Sequence, residues 1–145
     1  MSAEFEDCLK KGKIGEFSRG KSLVKKEIVT AEKDFSDAKD SLIQGKYKWA
    51  TIQFYYSIFH SARALLYIKN YREKSHYCLI AALRALYVDK KLLAVSFVEG
   101  LQRAKALREN ADYYDEWSKD AAESLLKTAE EFLSQARAII GNTEA

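Results

Sequence analysis

Apolar side chains recur at alternating steps of four and three through much of this chain. Val24, Ile28, Ala31, Phe35, Ala38 and Leu42 form one such series, which lays a single apolar stripe along a helix of about six turns. Gly45 ends it. From about Trp49 to Ile68 the character changes. Ile52, Phe54, Tyr55, Ile58, Phe59, Ala62, Leu65 and Leu66 leave almost no polar side, the mark of a central helix covered by its neighbours. Residues 70–74, NYREK, read as a loop, and Ser75 as the N-cap of a helix carrying Leu79, Ala82, Leu83 and Leu86. Ser96 and Glu99 have capping-box spacing and open a helix with Leu101, Ala104, Leu107 and Ala111. Ala122, Leu125, Ala129, Phe132, Ala136 and Ile139 make a last helix, ended by Gly141. A short helix over about residues 3–13 carries Phe5 and Leu9 and is broken up by Gly12, Gly15 and Gly20. No stretch alternates as a strand should. The pattern predicts an all-α fold, an antiparallel bundle of about five or six helices, with residues 1–145 as one domain.

Composition sharpens this picture. The chain has no proline, so the commonest helix breaker is missing from every segment. No run approaches the roughly 18 apolar residues of a membrane span. The opening MSAEFEDCLKK is charged and polar, unlike a secretory signal. A cytoplasmic protein without a membrane segment is expected. Cys8 and Cys78 are too few for a disulfide scaffold and sit in no C-x-x-C pair, so two reduced thiols are expected.

The net charge of +3 conceals an uneven distribution. Residues 1–40 carry nine basic and nine acidic side chains, residues 41–108 twelve and three, and residues 109–145 three and nine. A basic middle is thus followed by an acidic C-terminal helix. The two either pair across the bundle or leave a basic face for phosphate or an acidic partner.

Metal chemistry has little to draw on. His60 and His76 are the only histidines and belong to no H-x-x-x-H or E-x-x-H pair, whereas zinc needs three or four clustered ligands. Neither metal nor cofactor is expected. Gly15 and Gly20-Lys21-Ser22 have the spacing of a phosphate-binding loop, but no buried strand is expected before them, so the segment reads as a helix start. Tyr56, His60, Arg63 and Tyr67 share one face of the central helix. They either bind a phosphate or nucleotide or form a polar seam inside the bundle or a subunit contact. Arg72, Lys74, Ser75 and His76 run into a helix N-terminus, where anions are favoured. Arg108, Asn110, Asp112, Tyr113 and Tyr114 form a third cluster, in which Arg108 and Asp112 are spaced for an intrahelical ion pair.

Three of these segments together resemble the HEPN family of prokaryotic helical domains. Tyr55-Tyr56 with Phe59-His60-Ser61-Ala62-Arg63-Ala64-Leu65-Leu66 is similar to the family's Y-Y-x-x-F-H-x-A-R-A-L-L helix. Lys74-Ser75-His76 resembles its K-[ST]-H, and Arg108 through Tyr113 its R-x-x-A-D-Y. The resemblance spans about residues 20–140. It implies a bundle that dimerises and pairs with a nucleotidyltransferase in a toxin–antitoxin-like system, with RNA or a nucleotide as a further partner. Active members resemble metal-independent ribonucleases that use an Arg and a His separated by four to six residues, with a polar residue after the Arg. Here no histidine follows Arg108, and Arg72 and His76 are separated by three residues. The resemblance therefore implies a binding module. The alternative is an RNase with a variant site drawn from Arg108, His60 and His76.

Overall fold

The computed structural model describes residues 2–144. Its elements are α1 (Ala3–Lys10), β1 (Ile14–Glu16), α2 (Gly20–Ile43), α3 (Tyr47–Tyr67), β2 (Tyr71–Glu73), α4 (His76–Leu83), a π-helical turn (Arg84–Val88), α5 (Val95–Tyr113) and α6 (Lys119–Glu144). The four long helices make the bundle, and α3 packs against all three others. Phe54, Ile58, Ala62, Leu65 and Leu66 of α3 are completely buried, together with Leu101 of α5 and Leu125 of α6. The all-α bundle expected from the periodicity is what the chain forms.

Local signals account for most boundaries. Gly45, at φ +75°, takes the left-handed conformation that turns the chain from α2 into α3. Ser75 caps α4, its hydroxyl accepting from the Cys78 amide at 3.2 Å. The expected capping box does not form. α5 starts at Val95 behind Ala94, which has no side-chain cap, and Ser96 already lies inside the helix. α6 continues through Gly141 to Glu144.

Two corrections concern the N-terminal region. The first helix stops at Lys10, and Gly12, at φ +68°, reverses the chain into β1. β1 pairs antiparallel with β2, Ile14 opposite Glu73, so part of the expected loop at 70–74 is a strand. Three residues are too few to show alternation. The second correction is chemical. Cys8 and Cys78, expected as free thiols, form a disulfide. α1 lies across α4 and brings their Cα atoms to 5.8 Å, within bridging range. Both cysteines are buried in the core.

Tyr87, in the π-helical turn, ties this end of the molecule to α3. The Lys69 amide bonds Leu66 O rather than Leu65 O, and the Tyr87 hydroxyl donates to the Leu65 carbonyl instead. Burial pushes the Tyr87 pKa upward. Tyr87→Phe removes the donor and strands that carbonyl. A loss of about 1–3 kcal/mol in a denaturant titration is expected, with the helical spectrum unchanged.

Candidate functional site

The polar stripe on α3 reaches three neighbouring elements. His60 donates from Nδ1 to Glu27 Oε2 of α2 at 2.6 Å, and its Nε2 lies 3.8 Å from Asp34 Oδ2. Burial raises the Asp34 pKa, with His60 opposing that shift. Arg63 grips the buried Glu73 of β2 through Nη2 at 3.0 Å and Nε at 3.4 Å, its guanidinium 4.5 Å from the Phe59 ring centroid. Burial works against the Arg63 charge, but the Glu73 hydrogen bond and charge outweigh it and raise its pKa. Tyr67 is buried against Phe17, and burial raises its pKa.

Arg108 of α5 meets the same stripe. Its Nη2 donates to the Tyr56 hydroxyl at 3.0 Å and lies 3.2 Å from Asp112 Oδ2, while Nη1 reaches the Tyr113 hydroxyl at 3.4 Å. The guanidinium also stands 5.3–5.8 Å from the rings of Tyr55, Tyr56 and Tyr113. Burial opposes its charge, but Tyr56, Tyr113 and Asp112 prevail and raise the pKa. Burial pushes the Tyr55 hydroxyl up to about 12, so it stays protonated at neutral pH. The Tyr56 and His60 rings lie 6.5 Å apart, so Arg108, Tyr56 and His60 form one row. The Asn110 carbonyl accepts from the Tyr114 and Glu116 amides and closes α5.

Arg72, Lys74, Ser75 and His76 gather on a second face. With Phe59 and Arg63 they line a hollow of about 560 Å³. His76 also borders a hollow of about 500 Å³ between α4 and α5. Burial, then the nearby Lys105 charge, lowers the His76 pKa to about 4, while Glu109 opposes the shift. The folded chain thus holds His76 neutral where the unfolded chain would protonate it. Between an unfolded pKa of about 6.5 and that depressed value, the unfolded state binds more protons. Stability is full above the upper limit and lost as pH falls through the window. His76→Gln should abolish about 1–3 kcal/mol of the loss seen in parallel urea titrations between neutral pH and the lower limit.

The two faces meet near Phe59 and Arg63. Gly20-Lys21-Ser22 belongs to neither: it is the first turn of α2. A Cβ on Gly20 would stand 2.4 Å from the Tyr67 carbonyl oxygen, so glycine is needed for helix packing. Glu27, Asp34 and Glu73, which complete the α3 stripe, carry no distinguishing mark in sequence. Among the described residues, no group of three or more His, Cys, Asp or Glu could hold a metal ion, and no helix is long and apolar enough to cross a membrane.

A helical bundle with this seam and an α5 arginine defines the class to compare. The HEPN domain model matches residues 24–139, and the chain belongs to the HEPN family. A UPF0332 protein of Archaeoglobus fulgidus is 35% identical over 114 residues, 76% of this chain and 89% of that protein. A Methanocaldococcus jannaschii protein named "Putative toxin MJ0605" is 33% identical over 74% of this chain and 81% of its own length. Another from that organism, "Putative toxin MJ0142", is 29% identical over 82% of each.

Proposed function

We propose that this chain is the HEPN component of a toxin–antitoxin-like pair: a homodimeric binding module that joins a nucleotidyltransferase. The observation that carries this reading is the state of Arg108. Its guanidinium is engaged by Tyr56, Asp112 and Tyr113, and no histidine follows it in the sequence. A positively charged group so engaged is built to hold tyrosines and a carboxylate in place. The test is co-expression with a candidate nucleotidyltransferase, followed by gel filtration with light scattering. Co-elution with two copies of this chain is expected. A monomer at high micromolar concentration that ignores the nucleotidyltransferase would overturn the reading.

One observation favours a second reading, a metal-independent RNase. Tyr56 places Arg108 and His60 in one row, and two relatives carry toxin names. An Arg to steady phosphate charge and a His to take the 2′-hydroxyl proton are the parts such chemistry needs. His60 donates its Nδ1 proton to Glu27, and its other ring nitrogen, Nε2, faces Asp34 at 3.8 Å.

A further inference from the structure

Exposed aromatic rings gather where α5 gives way to α6, beside the start of α3. Trp49, Tyr113, Tyr114 and Trp117 are between 46% and 69% exposed. Large rings left in water at one place mark a surface that another molecule covers. The chain itself shows what chemistry suits them. The Lys48 ammonium stands 5.4 Å from the Trp49 ring centroid and 5.5 Å from that of Trp117, and it donates to Asp115 Oδ1 at 3.1 Å. Two indole rings and a carboxylate thus already hold one cation.

Beside Trp117 lies a hollow of about 220 Å³, lined also by Thr51, Leu107, Asn110, Glu116, Ser118 and Ala121. It falls below the roughly 300–1,000 Å³ typical of small-ligand sites and suits a single long side chain. Leu107 and Ala121 offer apolar walls for a stem, Glu116 a carboxylate for a charged head, and Trp117 a π face. The Glu116 amide donates to the Asn110 carbonyl at 2.9 Å, which fixes its backbone at the rim. Charge points the same way. Residues 109–123 carry six acidic side chains and one basic. Glu109, Asp112, Asp115 and Glu123 are paired. Glu116 and Asp120 enter no ion pair among the described residues. A cation is therefore drawn to Glu116. Arginine suits this hollow better than lysine, because its flat, weakly hydrated guanidinium stacks on an indole and meets a carboxylate with two N–H groups.

We propose that this corner is a docking surface for a basic protein segment, with one arginine of the partner seated in the hollow between Trp117 and Glu116. The exposed rings extend beyond the hollow to Trp49, Tyr113 and Tyr114, which calls for a chain rather than a free small cation. The inference goes beyond the reading above and needs neither Arg108 nor a nucleotidyltransferase as the partner. The nucleotidyltransferase complex can therefore fail with this surface intact, and the reverse.

Trp49 and Trp117 are the only tryptophans, so intrinsic fluorescence reports on this corner alone. The test follows fluorescence and calorimetry as the intact chain is titrated with a short capped peptide of alanine and arginine. Its lysine and glutamate counterparts and spermidine serve as comparisons. The arginine peptide should bind and shift the emission of the Trp49→Phe variant, in which Trp117 alone reports. The lysine peptide should bind more weakly and the glutamate peptide not at all. Spermidine should be weaker by about tenfold, since it leaves the outlying rings uncovered. By calorimetry, Trp117→Ala and Glu116→Gln should each weaken the arginine peptide by about tenfold. Both side chains are exposed, so an unshifted thermal midpoint certifies the fold. Tyr77→Ala, which removes an exposed ring of α4, should change nothing. No binding of the arginine peptide at millimolar concentration, equal binding of the glutamate peptide, affinity indifferent to both variants, or spermidine as tight as the peptide would each overturn the proposal.

Discussion

Breaking the Cys8–Cys78 bond is expected to lower the unfolding free energy by about 4 kcal/mol, since the disulfide closes a loop across a sequence separation of 70. In the chain-entropy account, the reduced unfolded chain regains the freedom that the cross-link denied it. For a chain of this size the thermal midpoint should fall by roughly 10–15 °C. The measurement is a melt with and without a dithiol reductant, the free thiols counted to confirm cleavage. Cys8→Ala/Cys78→Ala should reproduce the fall without reductant. An unchanged midpoint with both thiols free would show that packing alone fastens α1 to α4. The HEPN match begins at residue 24, so α1 and β1 lie outside the matched region. Phe5 and Ile14 nonetheless lie in the core, and the cross-link fixes this added layer to the helix that begins with His76.

Incubation with a mixed RNA in EDTA is expected to yield weak cleavage or none. Attack by a 2′-hydroxyl needs a positioned base, typically worth about 10²–10⁴-fold. Tyr113 follows Arg108 where a histidine would serve, and an unperturbed tyrosine has a pKa of about 10, too high for a base near neutrality. The free ring nitrogen of His60, Nε2, faces Asp34 at 3.8 Å, and His76, with its pKa lowered to about 4, is a weak base. The comparison is the parent with Arg108→Ala, His60→Ala and His76→Ala. Robust cleavage lost by more than about a hundredfold in Arg108→Ala and in one histidine variant would establish the RNase reading. Cleavage equal in all of them would mark a contaminating nuclease.

The long helices were legible because their evidence is local. The series from Val24 to Leu42 and from Ala122 to Ile139 carries the helical period in the residues themselves. Ser75 was legible for the same reason, since a cap acts within one turn. Pairings between distant segments were not. β1 finds β2 across the start of the bundle, and Cys8 finds Cys78 only because α1 folds over α4. Ser96 and Glu99 had the right spacing, but Ala94 begins the helix first. The stripe on α3 was visible from its spacing; its partners were not, because Glu27 and Glu73 look in sequence like any surface acid.

That stripe also constrains how the chain can change over evolutionary time. Buried aliphatic positions of α3, such as Ile58 and Leu65, tolerate exchange among side chains of like volume. His60, Arg63 and Tyr56 are each bonded to a group on a different element: Glu27 on α2, Glu73 on β2 and Arg108 on α5. Removing His60 or Arg63 leaves a shielded carboxylate unmatched, and removing Tyr56 takes one of the three groups that hold Arg108. Substitutions along this face should therefore travel as couples, and three couples on three elements fix how α3 is rotated about its own axis.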